Sequence, residues 1–148
     1  MRGKIIEKLL KDKTLPVFFL SCLEKEKSLE EVAKDWGYNK SVFSKQNTHS
    51  ILLNFGLLQV TKMEGRTIYF KSNLTKYWDF IREMLKIKEA KKLANWLGIK
   101  FIPKIEKPVV VTFKEIKKYL PPVRRQYLDP IFLWLIPLKI IKEKIEKN

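Results

Sequence analysis

The most constraining feature of this sequence is a short helix whose two ends are both marked, at residues 28–37. Ser28 and Glu31 match the S-x-x-E capping box, in which each side chain accepts a hydrogen bond from the other residue's backbone N–H. Apolar residues follow at the i, i+3, i+4 and i+7 spacing of one helix face: Leu29, Val32, Ala33 and Trp36. Gly37 can adopt the left-handed conformation that ends a helix. The sequence therefore predicts a helix of about eight or nine residues.

A second helix is predicted directly after a short turn. The turn is Gly37-Tyr38-Asn39-Lys40, and the segment that follows is polar in its first half and apolar in its second half. Gly56 can end this segment. We predict one helix over about 40–55.

A β-hairpin is predicted next. Residues 57–62 alternate in hydropathy, and residues 66–71 are rich in β-branched and aromatic side chains. Glu64-Gly65 between them is a tight-turn signal. These residues predict a two-stranded antiparallel hairpin over about 58–71.

The order short helix, turn, longer helix, hairpin carries a family resemblance. Residues 28–44 (SLEEVAKDWGYNKSVFS), 52–58 (LLNFGLL) and 66–75 (RTIYFKSNLT) resemble the winged helix-turn-helix transcription regulators of the broad MarR/ArsR type. Family members usually have the glycine after the second helix about two residues closer to the turn. The resemblance implies sequence-specific binding of double-stranded DNA, with recognition helix 40–55 in the major groove and wing 58–71 on the minor groove or backbone.

The charge independently points to a polyanionic partner. The chain has 31 Lys and Arg residues against 16 Asp and Glu residues, a net charge of +15. Such a field attracts nucleic acid first and an anionic membrane surface second, and the alternative is a basic surface that only confers solubility. No acidic residue occurs from residue 36 to 63, around the predicted second helix and hairpin. The many lysines and isoleucines suit an AT-rich genome or a heat-adapted organism, although heat adaptation would raise Lys and Glu together. With the family resemblance, we expect a heat-adapted archaeon or one of its viruses or plasmids as the source.

Candidate DNA contacts follow from the chemistry of base recognition. A recognition helix presents donors and acceptors to base edges in a groove about 12 Å wide. Seven such residues lie in the first part of the predicted helix: Lys40, Ser41, Ser44, Lys45, Gln46, Asn47 and His49. In the hairpin, Lys62 and Arg66 flank the turn, where they can contact the backbone or the minor groove. The alternative for the helix is an ordinary solvated face.

Helices are also predicted on either side of this region. Residues 3–12 form an amphipathic pattern, and Thr14 can cap a second helix that is apolar nearly all round. Residues 74–97 predict one helix of about 23 residues or two helices in series. Four aromatic residues at helical spacing can stack on single-stranded bases, but their spacing favours core or dimer contacts. They are Tyr77, Trp78, Trp96 and Trp134.

The last third of the chain allows two interpretations. Residues 109–111 predict a short strand, and Thr112 and Glu115 form a second capping box before a predicted helix over 113–120. Asp129 can cap a last helix, which Pro137 should kink. In one interpretation the segment is an appendage that binds the DNA backbone and mediates dimerisation through the apolar stretch 131–141. In the other, the segment is a degenerate second helix-turn-helix, and residues 140–143 are the remnant of a wing.

Together these patterns predict a mainly α fold with a small β-hairpin, of the α+β class. We expect a winged helix-turn-helix domain over 1–99 and a basic helical extension over 100–148. The expected partners are double-stranded DNA and a second copy of the chain, with no cofactor, metal or small-molecule ligand. The alternatives are a winged-helix protein adaptor of the transcription or replication machinery and a non-specific, chromatin-type DNA binder.

Several other functions are disfavoured by residue content. One cysteine, Cys22, and one histidine, His49, exclude a Cys/His zinc cluster within one chain. We find no paired carboxylates at useful spacing and no Gly-rich phosphate loop, so we do not expect an enzyme. No targeting segment is recognisable, and the apolar stretch 131–141 is shorter than the roughly 20 residues of a membrane span. We therefore expect a cytoplasmic, nucleoid-associated protein.

Overall fold

The computed structural model describes residues 3–104 and 108–147, which form a mainly helical molecule with a small antiparallel sheet. The helices in these residues are α1 (Gly3–Lys11), α2 (Thr14–Ser21), α3 (Leu29–Trp36), α4 (Ser41–Gln46), α5 (Thr48–Asn54), α6 (Leu74–Met84), α7 (Lys88–Trp96), α8 (Phe113–Tyr119) and α9 (Pro130–Lys147). The strands are β1 (Lys27–Ser28), β2 (Leu58–Glu64) and β3 (Thr67–Ser72). The predicted α+β class is confirmed.

The sheet contains one strand that the sequence analysis missed. Strand β1 pairs with β3, and β3 pairs with β2, so the order is β1-β3-β2 and both pairings are antiparallel. A strand of two residues is too short to show any alternation of hydropathy. Its formation depends on β3, which lies about 40 residues further along the chain and supplies the hydrogen-bonding edge.

The predicted hairpin is confirmed, and it contains an irregularity near Thr61. The register shifts between Val60, which pairs with Phe70, and Lys62, which pairs with Tyr69. Met63 then pairs with Ile68. Side chains alternate along a regular strand, so Val60 and Met63 would lie on opposite faces without the shift. The bulge places both of them on the face of Phe70.

Helix α3 has the ends that the sequence predicts. The Ser28 hydroxyl accepts a hydrogen bond from the Glu31 N–H, and the Glu31 carboxylate accepts one from the Ser28 N–H. Gly37 is left-handed at φ +66° and ends the helix. The second predicted box also forms, with Thr112 and Glu115 capping α8.

The predicted single helix over 40–55 is wrong. Asn47 adopts a left-handed conformation, with φ 52°, and separates α4 from α5. Phe43 and Leu52 explain the break. They are nine residues apart, so at about 100° per residue they would point in opposite directions from one continuous helix. Both are fully buried, because the break at Asn47 turns the two half-helices so that both side chains enter the core.

Other predicted elements also need correction. Thr14 does not cap α2, because Lys13 holds the N-cap position and the Asp12 carboxylate accepts the Thr14 N–H (2.9 Å). For residues 74–97, by contrast, the predicted alternative of two helices in series is confirmed, as α6 and α7. Residues 109–111 are not a strand in the structure.

The aromatic residues of this region divide between the core and the surface. Tyr77 and Trp134 are fully buried and Trp78 is half-buried, as a core interpretation requires. Trp96 is 78% exposed, so the core interpretation is wrong for that residue.

Helix α9 belongs to the core of the chain. It contacts α1, α2, α7 and α8, and the indole N–H of Trp134 donates to the Leu9 carbonyl at 2.8 Å. Most of the apolar stretch is buried in this way: Leu133, Trp134, Leu135, Ile136, Leu138, Ile140 and Ile141. The stretch 131–141 is therefore not a free dimerisation surface. Residues 140–143 are helical, so they form no remnant of a wing.

Pro137 lies inside α9 without ending the helix. Proline has no N–H and opens the hydrogen-bond ladder around it. The buried Tyr77 hydroxyl occupies that opening: it accepts from the Leu138 N–H at 3.2 Å and donates to the Trp134 carbonyl. Burial raises the pKa of Tyr77 well above its ordinary value. The phenol therefore stays neutral and able to donate.

Candidate nucleic-acid interface

Helix α4 carries most of the predicted base-contacting residues. Its exposed residues, with the residue that follows it, are Ser44, Lys45, Gln46 and Asn47. Ser41 is half-buried and Phe43 anchors the opposite side in the core. The Ser44 hydroxyl donates to the Lys40 carbonyl at 3.3 Å, which leaves its lone pairs available. Helix α4 thus presents a short polar face to solvent.

Two further exposed polar residues lie along α5, after the break at Asn47. Ser50 and Asn54 follow Asn47 at i+3 and i+7, and all three are exposed. Ser50 and Asn54 were not among the predicted contacts because they stand among the apolar residues of the segment. The i, i+3, i+7 spacing from Asn47 was the signal that could have identified them.

Two of the four predicted cations already have acidic partners. Lys40 pairs with Glu30 at 3.0 Å, and Lys62 pairs with Glu26 at 3.3 Å and Glu64 at 3.2 Å. The hydrogen bonds that the Lys62 ammonium donates to the Glu64 and Glu26 carboxylates raise the pKa of Lys62. By contrast, Lys45 and Arg66 are exposed and form no ion pair with any residue that the structure describes. They are the predicted cations most available to a phosphate.

His49 is directed away from the exposed polar face. Its ring lies 5.4 Å from the Phe70 ring, and its buried Nδ1 has no hydrogen-bond partner within the described residues. Burial lowers the pKa of His49, so the imidazole is held neutral. It lines a cavity of about 220 Å³ beneath the hairpin together with Lys40, Arg66 and Ile68. The structure does not place His49 among the exposed candidate base contacts.

A wider groove lies on the other side of α4. It has a volume of about 1190 Å³, and Lys45, Gln46 and Asn47 line it. The end of α1 and the linker after it complete its wall with three lysines, Lys8, Lys11 and Lys13, and two carboxylates, Glu7 and Asp12. Of the predicted site residues, Lys45, Gln46 and Asn47 line this groove and Lys40, His49 and Arg66 line the cavity beneath the hairpin. Ser41, Ser44 and Lys62 line neither.

Arg125 fixes the turn that leads into α4. Its Nη1 donates to the Trp36 carbonyl at 3.2 Å and to the Gly37 carbonyl at 2.5 Å. The guanidinium lies over the Tyr38 ring, 4.9 Å from the centroid. The Lys13 ammonium donates in turn to the Arg125 carbonyl at 3.0 Å. The contact of Arg125 with the turn leaves no signal in the sequence, because its partners lie almost 90 residues apart.

The hairpin presents an apolar surface as well as charge. Val60, Met63 and Ile68 share one face through the bulge, and they are 48%, 64% and 36% exposed. On the other face, the Lys62 ammonium lies 4.5 Å from the centroid of Tyr69. Isolated apolar residues on a surface are common, but three on one hairpin face form a patch.

The described residues hold no group of three or more His, Cys, Asp or Glu side chains that could ligate a metal ion. Cys22 is fully buried, and burial raises the pKa of its thiol to about 12, so a reactive thiolate does not form near neutral pH. Within the described ranges, no helix combines the length and the apolar character needed to cross a membrane. Comparison with known proteins finds no matching family model and no similar curated protein.

Proposed function

We propose that this protein is a winged helix-turn-helix that binds double-stranded DNA in a sequence-specific way and regulates transcription. The order of elements supports this proposal: α2, β1, α3, then α4 with α5, then the β2–β3 hairpin. In this assignment α3 and α4 are the two helices around the turn, and the hairpin is the wing.

The observation that carries the proposal is the acid-free, exposed polar face of α4 and α5. No acidic residue occurs from residue 36 to 63, although acids elsewhere on the chain pair with many of its lysines. A surface that only confers solubility can carry carboxylates, whereas a surface that contacts DNA lacks them because carboxylates repel phosphates. The net charge of +15 favours the same partner.

The contacts suggest a division of roles among the residues. Gln46, Asn47 and Asn54 carry amides, which can pair bidentately with adenine in the major groove. Lys45 is free to contact guanine or a phosphate. Arg66, next to the turn of the wing, is free to contact the backbone or a narrow minor groove. Lys40 and Lys62 contribute less because carboxylates already neutralise them.

The decisive experiment is selection of duplexes from a random pool, followed by affinity measurements on the selected and a scrambled duplex. Gln46→Ala and Asn54→Ala should each weaken selected binding by about 1–3 kcal/mol and leave scrambled binding unchanged. Asn95→Ala removes an exposed amide elsewhere and is the matched control. Equal binding of both duplexes by the native protein would instead indicate a chromatin-type binder.

The dependence of DNA affinity on salt concentration tests whether the wing contacts DNA phosphates. Each phosphate contact on a duplex contributes about 0.9 to the slope of log affinity against log salt. Arg66→Ala should reduce that slope by about one unit per wing without altering the preferred sequence. Lys62→Ala should change it less, because two carboxylates already pair with that ammonium. If neither variant alters the slope, the hairpin does not contact DNA.

We also propose that the protein acts as a homodimer, because two-fold dimers read the two half-sites of a palindromic operator. The interface must lie outside the buried stretch 131–141. Light scattering at micromolar concentration should give twice the mass of one chain, and a monomer would contradict this part of the proposal.

A protein adaptor is a second candidate function. The apolar face of the hairpin, formed by Val60, Met63 and Ile68, favours it because DNA offers little apolar surface to such a patch. Failure to select any duplex would favour the adaptor.

A further inference from the structure

Helix α7 has a basic face that none of the contacts above uses. Lys88, Lys91 and Lys92 stand at i, i+3 and i+4, and all three are exposed. None of them forms an ion pair with another described residue. The opposite side of the helix packs into the core through Ala90 and Ala94. The three ammonium groups therefore project from one rigid, anchored surface.

Trp96 ends this face and is unusual in its exposure. It follows Lys92 by four residues, so the two side chains are neighbours on the helix surface. Its side chain is 78% exposed, whereas Trp134 is fully buried. Few tryptophans are left in solvent unless they have a function, because burial of an indole is strongly favourable.

We propose that this α7 face, defined by Lys88, Lys91, Lys92 and Trp96, binds single-stranded nucleic acid. The lysines neutralise phosphates, and the indole stacks on an unpaired base. This combination of a basic track and an aromatic platform suits single strands, because every base has a π face and every nucleotide carries a phosphate. The site is separate from the polar face of α4 and α5, so it does not depend on the proposed duplex binding.

Other occupants fit the α7 face less well. An anionic membrane requires a broad apolar face that enters the lipid, but the small apolar residues of α7, Ala90 and Ala94, are buried against the protein. A second copy of the chain, docked symmetrically, would place three lysines opposite three lysines. Glu89, at the edge of the face, is the one acidic residue of α7, and a single carboxylate per chain does not offset the repulsion between these lysines.

Tryptophan fluorescence of the full chain, titrated with an oligothymidylate of about 16 nucleotides, tests the proposal. We expect quenching that is lost in Trp96→Phe, since stacking on the indole causes it. Trp96→Ala should weaken oligonucleotide binding, followed by anisotropy, by roughly 5- to 150-fold. Replacing Lys88, Lys91 and Lys92 with Gln should reduce the salt slope by about 2.

Helix α8 supplies a control matched in charge and spacing. Lys114, Lys117 and Lys118 are also exposed at i, i+3 and i+4, but no exposed tryptophan accompanies them. Their replacement with Gln should leave the quenching and the salt slope unchanged. An equal loss in both triple variants would overturn the proposal in favour of general charge attraction.

Two other results would also overturn it. A blue shift of tryptophan emission caused by vesicles of anionic lipid, with no quenching by the oligonucleotide, would identify a membrane surface. A change of oligomeric mass in Trp96→Ala would identify a second copy. Gln46→Ala is expected to retain the oligonucleotide quenching, and Trp96→Ala to retain duplex preference. The two proposals can therefore fail independently.

Discussion

Replacement of Arg125 by alanine should loosen the turn between α3 and α4. Arg125 is the link between the C-terminal third of the chain and this turn, through the carbonyls of Trp36 and Gly37 and the ring of Tyr38. Its loss leaves the two carbonyls to water and removes a stacked cation. The start of α4 is then free to shift relative to α3.

The expected magnitude follows from these contacts. One nitrogen serves both carbonyls, so we count a single charge-assisted hydrogen bond, worth about 1.5–3 kcal/mol in general and less at an exposed site. The stacking on Tyr38 adds about 0.5–1 kcal/mol at an exposed site. Since the freed carbonyls regain water, we expect a net loss of about 1–2 kcal/mol. For a chain of this size, that loss lowers the melting temperature by about 2–8 °C.

Thermal unfolding followed by circular dichroism measures this effect, and Arg124→Ala is the matched control. Arg124 is the exposed neighbour and donates no side-chain hydrogen bond to a described residue. Its replacement should change stability by less than about 0.5 kcal/mol. Arg125→Ala should also lower the ratio of selected to scrambled duplex affinity, because α4 carries the proposed base contacts. Equal stability in the two variants would refute the proposed role of Arg125.

Three further predictions concern single residues. Asn47→Ala should destabilise the chain by about 1 kcal/mol in urea unfolding, because alanine resists the left-handed conformation, while Asn47→Gly should be neutral or stabilising. Burial lowers the pKa of His49 in the folded chain, so on acidification the unfolded chain takes up a proton at His49 before the folded chain does. Stability should therefore fall as the pH drops through 6.5, and His49→Asn should flatten that part of the stability–pH profile. Cys22, with its pKa near 12, should react with iodoacetamide only after unfolding, and fast labelling of the native protein would contradict its burial.

The best sequence predictions concern signals that lie within a few residues of one another. The Ser28–Glu31 box and Gly37 define α3, and alternation with a tight turn defines the hairpin. These features succeed because caps, turns and strand alternation depend on local backbone chemistry. The polar cluster from Ser44 to Asn47 was also predicted from the sequence, because a run of polar residues with no acidic residue nearby can be recognised without the structure.

The burial requirements behind the α4–α5 break were present in the sequence, but the local signals favoured a continuous helix. Phe43 and Leu52 are half a turn out of phase, yet the segment contains no proline or internal glycine to mark an interruption. Only the shared core against α2 requires both side chains to point the same way. Tertiary packing therefore overrode helical continuity at Asn47.

Contacts between distant residues decided the rest. Several contacts join residues that are distant in the chain: Lys40 with Glu30, Lys62 with Glu26, His49 with Phe70, and Arg125 with the turn after α3. The course of α9 through the core depends on such contacts too. The sequence by itself determined the elements that carry local caps, turns or alternation, and where positive charge lacks acids nearby in the chain, but it determined neither strand β1 nor the break at Asn47. The tertiary structure alone decided which of those charges stay free, because ion pairing and burial depend on distances that chain order does not encode.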